Sequence, residues 1–276
     1  MMRDDATQTT DTAAAAGTQS ARLQSDQPSR QRILILTPQC PYPPHQGTTM
    51  RNYNLIAGLA HHHDVHLLSF GDRDRSRGTP LDHLCQSIRV VPAPQRTMQQ
   101  RLRGLALTRL PDMAQRLASV EFREALDSAL VKVDPHVVEV EGIELAQYLF
   151  QVAEARGSSE RPLLVFDDHN AEYVLQHRAF QTDRGKPSRW VAAAYSLVQW
   201  RRLRGYELRA CRAADRVVAV SETDAAALLE LDPHLLPVVV PNGVDMEFYT
   251  APVKLLDLEG PAPNDFVFTA KMDFRP

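Results

Sequence analysis

Residues 163–176 read LLVFDDHNAEYVLQ. Four apolar residues run directly into Asp167, Asp168, His169 and Asn170, and a helical pattern follows. A short apolar run bounded by polar residues marks a buried strand. The turn after it uses no glycine, proline or serine, so its polar groups ask for another explanation. Along a strand alternate residues face opposite sides. Asp167 and His169 therefore share one side, and Asp168 faces the other. Asn170 suits the N-cap of the next helix and Glu172 its first turn, both ordinary structural preferences.

The same strand-then-helix unit recurs on either side. RILILT (32–37) is a β-branched and leucine run closed by a proline. A loop, QCPYPPHQG, leads into helical spacing at Met50, Tyr53, Ala57 and Ala60. DVHLLSF (64–70), SIRVVPAP (87–94), HVVEVEG (136–142), RVVAVS (216–221), PVVVPNG (237–243) and DFVFTA (265–270) read as further strands. Helices are expected over 96–110, 113–131, 143–156, 170–181, 188–213 and 222–231, the last opened by a Ser221/Asp224 cap signal. Strands alternating with helices call for an α/β fold, a Rossmann-like parallel sheet with helices on both faces. Apolar strands without clean alternation agree with both faces being covered.

Composition narrows the function classes. The chain has 276 residues, 43% hydrophobic and 24% charged, with a net charge of −3. No global basic footprint points to nucleic acid. Cys40, Cys85 and Cys211 lie too far apart for a zinc spacing or a disulfide framework, which fits a cytoplasmic chain. Residues 1–31 are rich in Ala, Thr, Ser, Gln and Asp and are expected to be disordered. No apolar run long enough for a signal peptide or a membrane span occurs.

In parallel α/β sheets ligands bind beyond the carboxyl ends of strands. After the first strand, Gly47 opens a helix whose free N–H groups favour an anion, and Arg51 lies within reach of a phosphate or carboxylate. Neither the dinucleotide nor the Walker fingerprint is present. His169 can exchange a proton near neutral pH or donate to a sugar hydroxyl. Asp168 and Glu172 are further candidates. Asp167 and His169 lack the additional ligands a metal site needs, so no metal is expected. Glu139 and Glu141 share one side of a strand; they suit acid–base work, but read more readily as the solvated face of an edge strand. Two arginine-rich segments, 96–110 and 189–212, the second with six arginines and one glutamate, suit amphipathic helices with solvated arginines. Contact with an anionic membrane surface is the alternative.

Three motifs occur together in order: PYPPHQGTTMRNYNLIAGL, FDDHNAEY, and VAVSETDAAALLE followed by VVVPNGVDMEFY and FVFTAKMDFRP. This combination resembles the family-4 glycosyltransferases of the GT-B fold. More narrowly it resembles sugar transferases of exosortase-associated exopolysaccharide systems. The resemblance covers about 32–276. It implies that His169 faces the transferred sugar or its phosphate and is the catalytic candidate. Gly47 and Thr48 would lie near the donor phosphate or the acceptor, with Arg51, Asp168, Asn170 and Glu172 nearby. Asn242 and Gly243 belong to the family's NGVD turn.

The resemblance also implies two Rossmann-like domains with the site between them. Residues 32–262 would be the N-terminal acceptor-binding domain. Residues 263–276, with Lys271, would be the start of a donor-binding domain whose glutamate pair is not in this sequence. Such a chain is expected to be inactive alone. The implied substrates are a nucleotide sugar and a glycan or lipid-linked acceptor, with no cofactor and with peripheral contact at the inner face of the membrane. Two other readings stay open: a non-catalytic binding or scaffold fragment, and a sugar-nucleotide epimerase of the same fold.

Overall fold

The computed structural model describes residues 29–72, 78–154 and 161–243, together with 246 and 250. Expectations for residues 1–28 and 251–276, including Lys271 and the strand at 265–270, lie outside the described residues, as do Val244 and Asp245.

Among the described residues seven strands form one parallel sheet: β1 (Arg32–Thr37), β2 (Asp64–Phe70), β3 (Cys85–Val91), β4 (Val137–Glu141), β5 (Leu163–Asp168), β6 (Arg216–Ala219) and β7 (Val238–Val239). Their order is β3-β2-β1-β4-β5-β6-β7. The winding direction reverses between β1 and β4, the switch point at which such sheets bind ligands. The helices are α1 (Gly47–Ala60), α2 (Leu81–Leu84), α3 (Met98–Leu107), α4 (Asp112–Arg116), α5 (Val120–Val133), α6 (Ala146–Glu154), α7 (Glu172–Arg184), α8 (Trp190–Ala213) and α9 (Glu222–Leu231).

The period of two sorts β1 between two cores. Ile33 and Ile35 pack with Ile56 of α1 and Leu81 of α2. Leu34 and Leu36 join Val138, Val140, Leu164 and Phe166 in the larger core, which also takes in Phe122, Tyr148, Leu203 and Tyr206. Each such buried aliphatic or aromatic side chain stabilises the fold by roughly 1.5–3 kcal/mol. Phe122 stacks on Phe70 with ring centroids 4.2 Å apart, and Tyr148 closes on Phe122 at 4.4 Å.

Several elements differ from the sequence expectation. The helix expected over 113–131 is two helices, α4 and α5. The buried Tyr148 hydroxyl donates to Leu117 O (2.6 Å) and accepts from Ser119 N (3.1 Å). Ser119 then caps α5 by accepting from Phe122 N (3.2 Å). The break satisfies backbone groups that a continuous helix would otherwise bond internally. The segment 143–156 begins as a 3₁₀ turn, Ile143–Leu145, before α6. The run at 237–243 contributes a strand of only two residues, β7. The Ser221 cap of α9 is present, accepting from Asp224 N at 3.1 Å.

Candidate functional site

Glu139 and Glu141 are both buried, and β4 lies between β1 and β5. This corrects the edge-strand expectation: a run of alternating Val and Glu cannot reveal which strand will be central. Val138 and Val140 face the large core, so the two glutamates face α1, and Asp167 pairs in register with Glu141 on β5. Three carboxyl groups therefore lie beneath one helix. Burial, with Glu141 and Asp167 beside it, holds Glu139 well above the usual carboxylate range.

α1 supplies the compensating cation. Arg51 donates to Asp167 Oδ2 through Nη2 (2.6 Å) and Nε (3.2 Å). Its Nη1 reaches Val240 O (2.9 Å) and Asn242 Oδ1 (3.0 Å). The guanidinium thus ties α1 to the end of β5 and to the segment after β7. Its donors face protein acceptors rather than an open ligand position.

His169 follows β5, and its Nε2 lies 2.5 Å from Glu141 Oε2. The same oxygen accepts from the Asn52 side-chain nitrogen (2.8 Å), which also donates to Thr48 O (3.2 Å); the amide orientation follows from these partners. Burial lowers the imidazole pKa, but the hydrogen bond and charge of Glu141 outweigh it and hold His169 above its ordinary value. Burial raises Glu141, tempered by His169. Nε2 faces Glu141, and Nδ1 lies on the side of Gly142, whose φ of 80° lets the backbone turn tightly beneath the ring.

Donor atoms of Glu141, Asp167 and His169 lie within 4.8 Å of one another. The third ligand, absent from the sequence reading, is Glu141. Arg51 occupies Oδ2 of Asp167, while Asp167 Oδ1 and Glu141 Oε1 have no hydrogen-bond partner among the described residues.

Asp168 points to the opposite face, where it is buried. No N–H or hydroxyl among the described residues donates to either of its oxygens. Its neighbour is Glu207 of α8, also a carboxyl, and a proton held between them satisfies both. Burial and the Glu207 charge push Asp168 well up, and burial lifts Glu207 to about 7. Glu207 accepts from Glu172 N (2.8 Å) and Tyr173 N (2.9 Å), capping α7. This corrects the assignment of Asn170 as N-cap. The cap residue is Ala171, and Asn170 instead donates to Glu172 Oε1 (3.3 Å). A partner 35 residues away in sequence, on α8, gives no local signal.

Two hollows flank the N-terminus of α1. The first, about 340 Å³, opens at the carboxyl ends of β1, β4 and β5, between Gln46, Thr48, Gly142, Asp168, His169, Asn170 and Glu172. Arg116 and Glu144 complete its rim, 3.5 Å apart. Burial and Glu144 raise the Glu172 carboxyl. The second, about 390 Å³, is lined by Gly47, Arg51, Asn54, Asn242 and Gly243. The expected residues thus divide between two neighbouring hollows, with Arg51 tied to the protein beside the second. Gly142 and Arg116 belong to the arrangement without standing out in the sequence, though a glycine directly after a strand is a signal for Gly142. Glu141 stands out as one of a carboxylate pair, but not as the partner of His169.

The sequence profile described as Glycosyltransferase Family 4 matches residues 46–248. No curated protein sequence matches the chain significantly. Among solved structures, sucrose-phosphate synthase from Thermosynechococcus elongatus is similar with a TM-score of 0.51 and 14% identity, over 78% of this chain and 49% of that one. The N-terminal domain of Candida albicans trehalose-6-phosphate phosphatase gives 0.46 and 15%, over 79% and 50%. Phytolacca americana UGT2, solved with UDP-2fluoro-glucose and pterostilbene, gives 0.45 and 12%, over 79% and 55%. The chain spans about half the length of these structures. Its seven-stranded parallel sheet has the Rossmann-like fold of a GT-B half. With a profile match over most of its length, the chain belongs to glycosyltransferase family 4.

Proposed function

We propose that this domain is the acceptor-binding half of a transferase that moves a sugar from a nucleotide-sugar donor to a glycan or lipid-linked acceptor, in exopolysaccharide biosynthesis on the cytoplasmic side of a membrane. One observation carries the reading: a polar hollow at the switch point is built around His169, whose ring is fixed from behind by Glu141. Its volume of about 340 Å³ falls within the range of small-molecule sites. Its carboxyl, amide and hydroxyl lining offers the hydrogen-bond partners that sugar hydroxyls require.

In this proposal His169 faces the transferred sugar through Nδ1, and Asn170, Glu172 and Thr48 hold the acceptor, while the buried Asp168 supports that strand end from the opposite face. The free N–H groups at Gly47 and Thr48 favour a donor phosphate. Asn242 and Gly243 line the donor side, with Lys271 assigned there by resemblance. Because the chain spans about half of the solved structures it resembles, we propose that it binds acceptor without turning over by itself.

Calorimetry with soluble glycans and short-chain lipid-linked sugars tests the reading on the 276-residue chain. Binding that His169→Ala abolishes, in a variant with unchanged thermal unfolding, is expected. No binding of any saccharide would overturn it. Steady sugar transfer by this chain alone would overturn the division of labour between two halves.

A further inference from the structure

The cluster behind His169 contains two carboxylate oxygens that no protein donor claims. Glu141 is fully buried and Asp167 is 1% exposed. Yet Glu141 Oε1 and Asp167 Oδ1 have no hydrogen-bond partner among the described residues. A sealed carboxylate oxygen without a donor is costly, because it has given up water and gained nothing in return. Two of them in one cluster call for a cation.

The other oxygen of each carboxylate is held. Arg51 donates to Asp167 Oδ2, and the Asn52 amide donates to Glu141 Oε2. Both donors come from α1, and each leaves one oxygen of its carboxylate free. Carboxylates that ligate metals are oriented by hydrogen bonds of this kind. His169 brings a third ligand atom: Nδ1 lies toward Gly142, and Nε2 faces Glu141. One ligand atom from each of Glu141, Asp167 and His169 lies within 4.8 Å of the other two. Ligands on opposite sides of an ion bound at about 2.0–2.2 Å stand roughly 4.2 Å apart, so closing on an ion takes a small inward movement and a slight turn of the ring. The charges agree. Glu139, Glu141 and Asp167 are all buried, and Arg51 is the guanidinium set against them. With all three ionised, a dication beside a neutral imidazole balances the group.

We propose that Glu141, Asp167 and His169 form a binding site for one divalent ion of the Zn²⁺ class, at the ends of β4 and β5 behind the polar hollow. The ligand set selects the ion: imidazole suits Zn²⁺, whereas Mg²⁺ and Ca²⁺ prefer oxygen ligands alone. The ion takes the place of the proton between His169 Nε2 and Glu141 Oε2, and that proton leaves to solvent. The ring keeps its other proton on Nδ1, as a donor toward the hollow. Arg51 stays on Asp167 Oδ2 and Asn52 on Glu141 Oε2. The entry path runs past His169, whose side chain is 14% exposed and lines the hollow. The site rests on these residues and not on the transferase reading.

The test is titration of Zn²⁺ into the chelator-treated 276-residue chain, without saccharide, read by calorimetry and by thermal unfolding. A His61→Gln/His62→Gln background removes two adjacent exposed histidines that chelate ions at a surface. One bound equivalent and a raised unfolding temperature are expected, with Mg²⁺ binding at least about tenfold more weakly. Asn52→Ala, which leaves all three ligands in place, should weaken Zn²⁺ binding about tenfold, and Glu141→Gln and His169→Gln at least as much. Where a variant fails to fold, ring-nitrogen NMR of the unsubstituted chain decides: Zn²⁺ should shift His169 Nε2 and leave Nδ1 protonated. No bound equivalent, affinity unchanged in folded Glu141→Gln and His169→Gln, equal affinity for Mg²⁺, or a His169 ring unmoved by Zn²⁺ would overturn the proposal.

Discussion

Glu141 Oε2 and His169 Nε2 are 2.5 Å apart, brought together from the ends of two neighbouring parallel strands. A buried carboxylate against one ring nitrogen keeps that nitrogen protonated and leaves the other to face ligand. His169 is therefore held above its ordinary pKa despite its burial.

Glu141→Gln keeps the hydrogen-bonding shape and removes the charge. The His169 imidazole should then titrate lower than in the unsubstituted chain, read by NMR of the ring protons. The sign for stability follows from the raised value. In the unsubstituted chain the pair's contribution is fully present below the unfolded histidine pKa, about 6.5, and is lost as pH rises through the folded value. An unchanged titration in the variant would show that Glu141 does not hold the proton.

Arg51 neutralises Asp167 in a setting where both side chains are nearly sealed from water, 7% and 1% exposed. Arg51→Met leaves that carboxylate unpaired and should cost roughly 3–5 kcal/mol in denaturant unfolding. Adding Asp167→Asn should recover part of the loss. If both variants unfold at the parent's midpoint, the pair contributes no net stability.

The Asp168–Glu207 pair makes the opposite pH statement from a surface salt bridge. Glu207 is lifted from 4.5 to about 7, so the folded state binds more protons than the unfolded one across that window. Stability should fall as pH rises from about 4.5 to about 7, by up to ~1.4 kcal/mol per pH unit for this group. Glu207→Gln replaces the shared proton with an amide donor toward Asp168 and should flatten the slope. Denaturant midpoints measured across this range check both statements.

Two glycines should respond differently to alanine. A Cβ on Gly47 would meet no protein atom within 4 Å, so Gly47→Ala should leave unfolding unchanged while weakening binding of a nucleotide sugar or acceptor. Gly142 has φ 80°, and a Cβ there would come 3.3 Å from Glu144 Oε2 and 3.6 Å from His169 Nδ1. Gly142→Ala should cost about 1–3 kcal/mol and disturb the histidine. Thermal unfolding beside a saccharide titration separates the two.

The order of strands and helices was legible because it rests on local properties: apolar runs such as RILILT, caps such as Ser221, and the proline-rich loop before Gly47. The same locality explains why the break at Leu117–Ser119 was missed: it depends on the hydroxyl of Tyr148 about 30 residues away. Asp168 and His169 could be singled out because they close a buried strand with polar groups, and Glu172 because it falls in the first turn of the helix that follows.

The sequence by itself determined a parallel α/β sheet and the polar residues that close its fifth strand, since periodicity and strand termination are written residue by residue. Only the tertiary structure decided what those residues do. It made β4 central and buried Glu141 behind His169, turned Arg51 toward Asp167, and set Glu207 as the cap of α7. Each of these depends on which segments become neighbours, and the energy of a buried charge is fixed by the partner it meets there, not by its own place in the chain.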